Sequence, residues 1–207
     1  LLGTARAFDF APESLPPHIR YVGPQLDDPA WAEPWVSPWP ADDQRPLVLV
    51  GFSTTFQNHA GVLQRVVDAM RGLPVRALVT LGETIEPQQI RAGRNVKLVR
   101  SAPHNELMRE AQIVVTHGGH GTVTRALVHR RPMLIIPHGR DQNDNAVRVT
   151  ERRAGLSLPP EADVQAIRSA VSRLLLEPGF REAAWTLGGK VAHEAENSPV
   201  VAELESL

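Results

Sequence analysis

The sequence predicts an α/β fold, a doubly wound parallel sheet of about six strands with helices on both faces. Three observations carry that expectation. Six short aliphatic runs recur between residues 47 and 158, and none alternates with polar residues, as strands covered on both faces require. Segments of helical periodicity separate them, the pattern that builds parallel sheets. Polar clusters at 53–55, 101–104, 117–122 and 138–145 each follow a strand candidate, which puts all four on the rim where such sheets bind ligands.

The elements follow in order. Residues 1–46 hold recurring prolines and three of the four tryptophans, Trp31, Trp35 and Trp39. Proline lacks a backbone donor and disfavours helix before it, so this stretch is expected as an extended linker, anchored by its tryptophans. Residues 47–50 form the first strand candidate; Val62, Leu63, Val66, Val67 and Met70 then recur at helical spacing. Strands are expected at 75–80 and 96–99, a short helix around Leu107, Met108 and Ala111, and a fourth strand at 113–115. A helix over 123–129 leads to a strand at 133–136, and a helix over 143–152 to a short strand at 156–158. Helices over 164–176 and 180–196 finish the chain. The expected division is a linker at 1–46 and a binding domain at 47–207.

At 207 residues, 42% of them hydrophobic and 22% charged, the chain is long enough for one sizeable domain with a real core. A formal net charge of −1 offers no basic field for nucleic acid or an anionic membrane. The absence of cysteine removes disulfides, thiolate metal sites and thiol nucleophiles, and fits a reducing cytoplasm. No apolar run has the length of a bilayer span and no leader pattern opens the chain, so a cytoplasmic protein is expected. A start at Leu1-Leu2-Gly3 without methionine fits a segment of a longer polypeptide.

The stretch 114–122, VVTHGGHGT, carries the most chemistry. An apolar run ends in His117, Gly118, Gly119, His120, Gly121 and Thr122, and a helical segment follows. That order describes a buried strand handing over to a helix through a glycine turn. Amides converge at such a helix start and the helix dipole adds partial positive charge, which suits a phosphate or diphosphate. The glycines allow close backbone approach, and Thr122 offers a hydroxyl. The spacing is neither a Walker A loop nor the G-x-G-x-x-G fingerprint. A tight turn with a capping threonine is the plainer alternative. His117 and His120 lack a third ligand at helical or loop spacing, so no metal is expected.

Residues 137–145, PHGRDQNDN, are dense in acceptors and amides. Asp141 and Gln142 suit neighbouring hydroxyls of a sugar, and Asp141 equally suits a helix cap that involves no ligand. Ser53 and Thr54 offer hydroxyls to a phosphate or sugar, although turn chemistry accounts for them as well. The acidic pairs at 27–28 and 42–43 fall in the proline-rich stretch and read as solvated turns.

With these residues in view, the chain resembles the C-terminal donor-binding domain of family-1 glycosyltransferases of the GT-B fold, a Rossmann-like domain. It is most similar to the bacterial enzymes that glycosylate antibiotics and other natural products. The motifs are Ser-Ala-Pro-His at 101–104, Thr-His-Gly-Gly-His-Gly-Thr at 116–122, Asp-Gln-x-x-Asn-Ala at 141–146, and the linker FDFAPESLPPHIRYVGPQLDDPAW at 8–31. The resemblance implies that His117 contacts the donor diphosphate and stabilises the leaving group. Gly118, Gly119, His120, Gly121 and Thr122 would cradle that diphosphate, with Ser101 and the Ala102 backbone at the pyrimidine. Asp141 and Gln142 would face the transferred sugar, and Ser53 and Thr54 would approach the phosphate or the sugar.

The resemblance further implies a direct inverting displacement without metal or cofactor. The donor would be a dTDP- or UDP-sugar and the acceptor a natural product. The general base and the acceptor pocket would lie on an N-terminal domain outside this chain, which alone would bind nucleotide sugar without transferring it. Two departures bear on the donor. Plant relatives carry an aromatic residue where Ser101 stands and a glutamate where Arg125 stands. Arginine cannot accept hydrogen bonds from ribose hydroxyls, which points to a deoxyribose donor such as dTDP-sugar. A sugar-nucleotide epimerase of the same architecture, or a non-enzymatic nucleotide-sugar-binding module, are the alternative readings.

Overall fold

The computed structural model describes residues 1–26, 35–52, 60–83 and 85–206. Its strands are β1 (Leu47–Gly51), β2 (Arg76–Thr80), β3 (Val96–Val99), β4 (Ile113–Thr116), β5 (Met133–Ile135) and β6 (Gly155–Ser157). They form one sheet in the order β3-β2-β1-β4-β5-β6, and every neighbouring pair is parallel. The expected α/β doubly wound sheet is therefore the fold that forms. The chain winds outward from β1 to β3, then crosses back to β4 and winds the other way. That reversal opens a crevice beyond the carboxyl ends of β1 and β4.

Around the sheet stand α1 (Ala60–Met70), α2 (His104–Glu110), α3 (His120–Val128), α4 (Gln142–Glu151), α5 (Val164–Leu176), α6 (Pro178–Glu196) and α7 (Val200–Glu205). Successive strand side chains point to opposite faces. Val48 and Val50 pack with Val62, Leu63 and Val66 of α1 and with Ile167 and Val171 of α5. Leu47 and Leu49 pack on the other face with Leu107 of α2, Leu127 of α3, Val149 of α4 and Val191 of α6. Burying each such aliphatic side chain contributes about 1.5–3 kcal/mol, which is why the strand runs carry no polar alternation. Asp163 caps α5 by accepting from the Ala166 amide at 2.7 Å, and Pro178 opens α6 where its missing N–H leaves no orphan.

Several elements depart from the expected pattern; α4 is shifted by one residue and α6 begins two residues earlier. Helix α3 begins at His120, three residues earlier than periodicity indicates, because its first turn, His-Gly-Thr, has no apolar residue. Strand β6 is shifted by one residue. Helix α7 and a 3-10 turn at Pro87–Gln89 were not expected, and neither buries a residue of its own.

The chain before β1 is fastened to the second face. Ala5, Phe8 and Trp39 belong to its core, and Trp35 packs against it; Trp31 lies outside the described residues. Glu194 of α6 accepts from the amides of Arg6 (2.6 Å) and Ala7 (2.9 Å). Asp9 accepts from the Tyr21 hydroxyl at 2.6 Å and from Arg148 Nε of α4 at 2.9 Å. Among the described residues no helix is long and apolar enough to cross a membrane.

Candidate functional site

The carboxyl ends of β1, β4 and β5 bring three rings together at the reversal point. Gly51 pairs with Thr116 as the last residues of β1 and β4, so Phe52 and His117 emerge side by side with ring centroids 6.4 Å apart. His138, just beyond β5, meets the same phenyl ring edge-on at 5.9 Å. Phe52 thus forms an apolar wall between two imidazoles.

Both imidazoles are held toward the neutral form. Burial pushes His117 below its ordinary value of 6.5, and the nearby His138 adds to that; the Gly51 carbonyl, which accepts a ring N–H, and the Asp141 charge oppose it. Burial likewise lowers His138, against the pull of the Ile136 carbonyl 2.8 Å from its Nδ1. Thr116 is fully buried, and its hydroxyl lies 3.4 Å from His117 Nδ1 and accepts from the Gly118 amide at 3.3 Å.

The turn that follows needs its glycines. Gly118 adopts φ +93°, and a Cβ there would stand 2.6 Å from Ile135 Cγ2. A Cβ on Gly119 would stand 2.6 Å from His117 Nε2, so the imidazole lies directly over the Gly119 backbone. Gly119 is the N-cap of α3 and supplies no side-chain cap. Among the described residues the amides of Gly119 and Gly121 have no hydrogen-bond partner, whereas the Thr122 amide bonds to the Gly119 carbonyl.

The second polar cluster closes over this helix start. Asp141 opens α4 yet makes no side-chain cap to its own helix. Its Oδ2 instead accepts from the His120 amide, the first of α3, at 3.1 Å, and from Asn145 Nδ2 at 2.9 Å. Asn145, 4% exposed, also donates to the Gly118 carbonyl at 2.9 Å. Gln142 is 2% exposed, and its Oε1 accepts from the His138 amide at 2.6 Å.

The residues expected at a site fall into three groups. His117, Gly118, Gly119, Gly121, Thr122, Asp141 and Gln142 gather around the β4–α3 junction. His120 contributes its amide there, but its ring turns to the N-terminal segment, 3.3 Å from the Gly3 carbonyl and 6.2 Å from the Phe8 ring. Ser101, exposed, and Ala102, half-buried against the second core, lie beyond β3 on the same rim. Ser53 and Thr54 lie outside the described residues. Arg125 of α3 donates to Asn105 Oδ1 (3.0 Å) and to the Leu26 carbonyl (3.2 Å), so the guanidinium holds the segment before β1 against α2 and α3.

Phe52 and the scaffolding role of Asn145 escaped the sequence reading. Asn145 lies one helical turn after Asp141 on the buried face of α4, and that spacing is the signal that reveals it. Among the described residues no three His, Asp or Glu side chains converge as a metal-ligand group.

Comparison with known proteins places this geometry in a family. Residues 64–207 match the family model for the erythromycin biosynthesis protein CIII-like C-terminal domain. The 4'-demethylrebeccamycin synthase of Lentzea aerocolonigenes is 31% identical over 189 residues, covering 87% of this chain and 43% of that protein. The aklavinone 7-beta-L-rhodosaminyltransferase of Streptomyces galilaeus is 32% identical over 205 residues, covering 96% and 46%. Among solved structures, the calicheamicin glycosyltransferase CalG4 superposes with a TM-score of 0.76 at 26% identity, over 90% of this chain and 46% of that one. The glycosyltransferase VinC, in complex with dTDP, gives 0.72 at 25% identity over 99% and 51%. The chain spans about half the length of the relatives it matches. It belongs to the erythromycin biosynthesis protein CIII-like C-terminal domain family, among whose matched relatives are antibiotic glycosyltransferases.

Proposed function

We propose that this chain is the donor-binding half of an inverting glycosyltransferase that moves a sugar from a nucleoside diphosphate to a natural-product hydroxyl. The observation that carries this reading is the convergence of the His117 imidazole and the α3 amides at the sheet's reversal point. Positive helix-end potential and an imidazole donor are what a departing diphosphate needs as charge develops on it. In this reading the acceptor oxygen attacks the anomeric carbon. The bond to the diphosphate oxygen breaks, and its electron pair leaves with the nucleoside diphosphate. A base on a further domain takes the acceptor proton.

The proposed roles take their residues from the motifs, and the geometry around the β4–α3 junction supports them. His117 and the backbone from Gly118 to Thr122 bind the diphosphate, while Ser101 and Ala102 stand at the pyrimidine end. Asp141 and Gln142 face the sugar, the latter with its carboxamide oxygen already bonded to the His138 amide. Ser53 and Thr54, outside the described residues, keep the hydroxyl contacts to phosphate or sugar that the sequence motif assigns them. The chemistry proceeds without metal, the protein's own donors meeting the diphosphate charge.

A dTDP-linked donor, whose nucleoside is a deoxyribose, fits Arg125, whose guanidinium is engaged with Asn105 and Leu26 and can only donate. The dTDP complex of VinC supports the same choice. Titration calorimetry with thymidine diphosphate and uridine diphosphate tests both levels. The chain binds thymidine diphosphate more tightly than uridine diphosphate, and His117→Ala weakens binding by about tenfold or more, since charge-assisted bonds contribute about 1.5–3 kcal/mol. Unchanged affinity in that variant removes His117 from the site; a preference for uridine diphosphate rejects the dTDP assignment.

A further inference from the structure

The residue that opens α4 does not cap α4. Asp141 reaches across to α3, where its Oδ2 takes the first amide of the helix, His120 N, at 3.1 Å. Asn145 Nδ2 holds the same oxygen at 2.9 Å, and Asn145 is itself fixed by the Gly118 carbonyl. A carboxylate oxygen therefore already takes the first amide of this helix start, and it brings one negative charge with it.

We propose that Asp141 is a charge discriminator at the diphosphate seat. Its carboxylate holds the α3 amide, tolerates the sugar-linked diphosphate, and selects against the free nucleoside diphosphate that sugar transfer leaves behind. The inference rests on the proposed donor site and deepens it. In a sugar nucleotide each phosphate carries one charge and neither ionises further near neutrality. When the bond to the anomeric carbon breaks, the terminal phosphate gains a second ionisation with a pKa of about 6, and with it up to about one extra negative charge. That added charge falls on the phosphate nearest the α3 start, where Asp141 already stands. The donor's sugar offers hydroxyls that a carboxylate accepts, which offsets the repulsion; the product has none to offer. Asp141 thus favours the donor over the product at one seat, and the product leaves more readily.

Asp141→Asn tests this. Asparagine keeps an oxygen for the His120 amide and is as good at a helix start as aspartate, so the fold is preserved. Affinities for thymidine diphosphate and for dTDP-glucose are measured by titration calorimetry on the chain and on the variant, at low and high salt. The variant binds thymidine diphosphate about tenfold tighter, as removal of one like charge at a partly screened site requires. It binds dTDP-glucose no tighter, and the gain for thymidine diphosphate shrinks with salt. Asp141→Ser, which also removes the charge, gives the same direction. If thymidine diphosphate binds the unaltered chain and the variants bind it no tighter, the discriminator role is overturned while the donor site stands. If the unaltered chain binds neither ligand, the donor site falls and this role with it.

Discussion

His117 donates a ring N–H to the carbonyl of Gly51, the last residue of β1, and so joins the two strands at which the sheet reverses direction. A neutral imidazole has only one N–H. In the tautomer whose proton points to Gly51, the other ring nitrogen can meet an anion only after it is protonated.

Diphosphate binding is therefore expected to take up a proton. Burial holds the imidazole below 6.5, and a diphosphate against it raises its affinity for the proton. Affinity for a sugar nucleotide, which does not itself titrate in this range, rises as pH falls from about 8 to about 6. Calorimetry in buffers of different ionisation enthalpy reads the uptake directly. His117→Gln abolishes both the uptake and the pH dependence; an affinity flat with pH in the unaltered chain rules the coupling out.

The same imidazoles set one arm of the stability profile. His117 and His138 both have folded-state values lowered from 6.5, first of all by burial. As pH falls through 6.5 the unfolded chain gains protons before the folded one, so stability is full above that value and declines below it. The decline ends once pH passes the lowered folded-state values. Thermal melts between about pH 7.5 and about pH 5, spanning the ordinary histidine value, are expected to show the loss, and the double variant His117→Gln, His138→Gln flattens it. An unchanged slope in the double variant assigns the loss to other groups.

Asn145→Ala removes one carboxamide with two duties. The Gly118 carbonyl and the Asp141 carboxylate both lose a donor, the first in a buried turn. An orphaned buried acceptor costs about 1–3 kcal/mol, read as a lower denaturant midpoint with an unchanged slope. Diphosphate affinity falls as well if Gly118 leads into the proposed diphosphate cradle. A variant as stable as the parent shows that water replaces the amide.

The sheet was legible because burial on both faces keeps the strand interiors mainly aliphatic, with Lys97 of β3 an exposed exception near the sheet edge; 47–50, 96–99 and 113–115 lie wholly within β1, β3 and β4. The start of α3 was not legible, since its first turn is polar and carries a glycine. Asp141 was readable as a helix cap, yet the helix it serves is α3, twenty-one residues back, and no local pattern encodes a cross-helix partner. His120 shows the same limit: the motif places it in the cradle, while its ring contacts Gly3 and Phe8 across more than a hundred residues. Arg125 stands out only against a relative's glutamate, and its grip on the Leu26 carbonyl required the fold.

The clasp between Glu194 and the amides of Arg6 and Ala7 is one of several that tie the first residues to the last helices; Ser198 Oγ on the Val22 carbonyl and Arg20 on Glu203 are others. Neither end of the polypeptide can peel away without stripping hydrogen-bond partners from the other. Loss of the closing residues of α6 would strip Glu194 from the amides of Arg6 and Ala7, so damage at one end is felt at the opposite one.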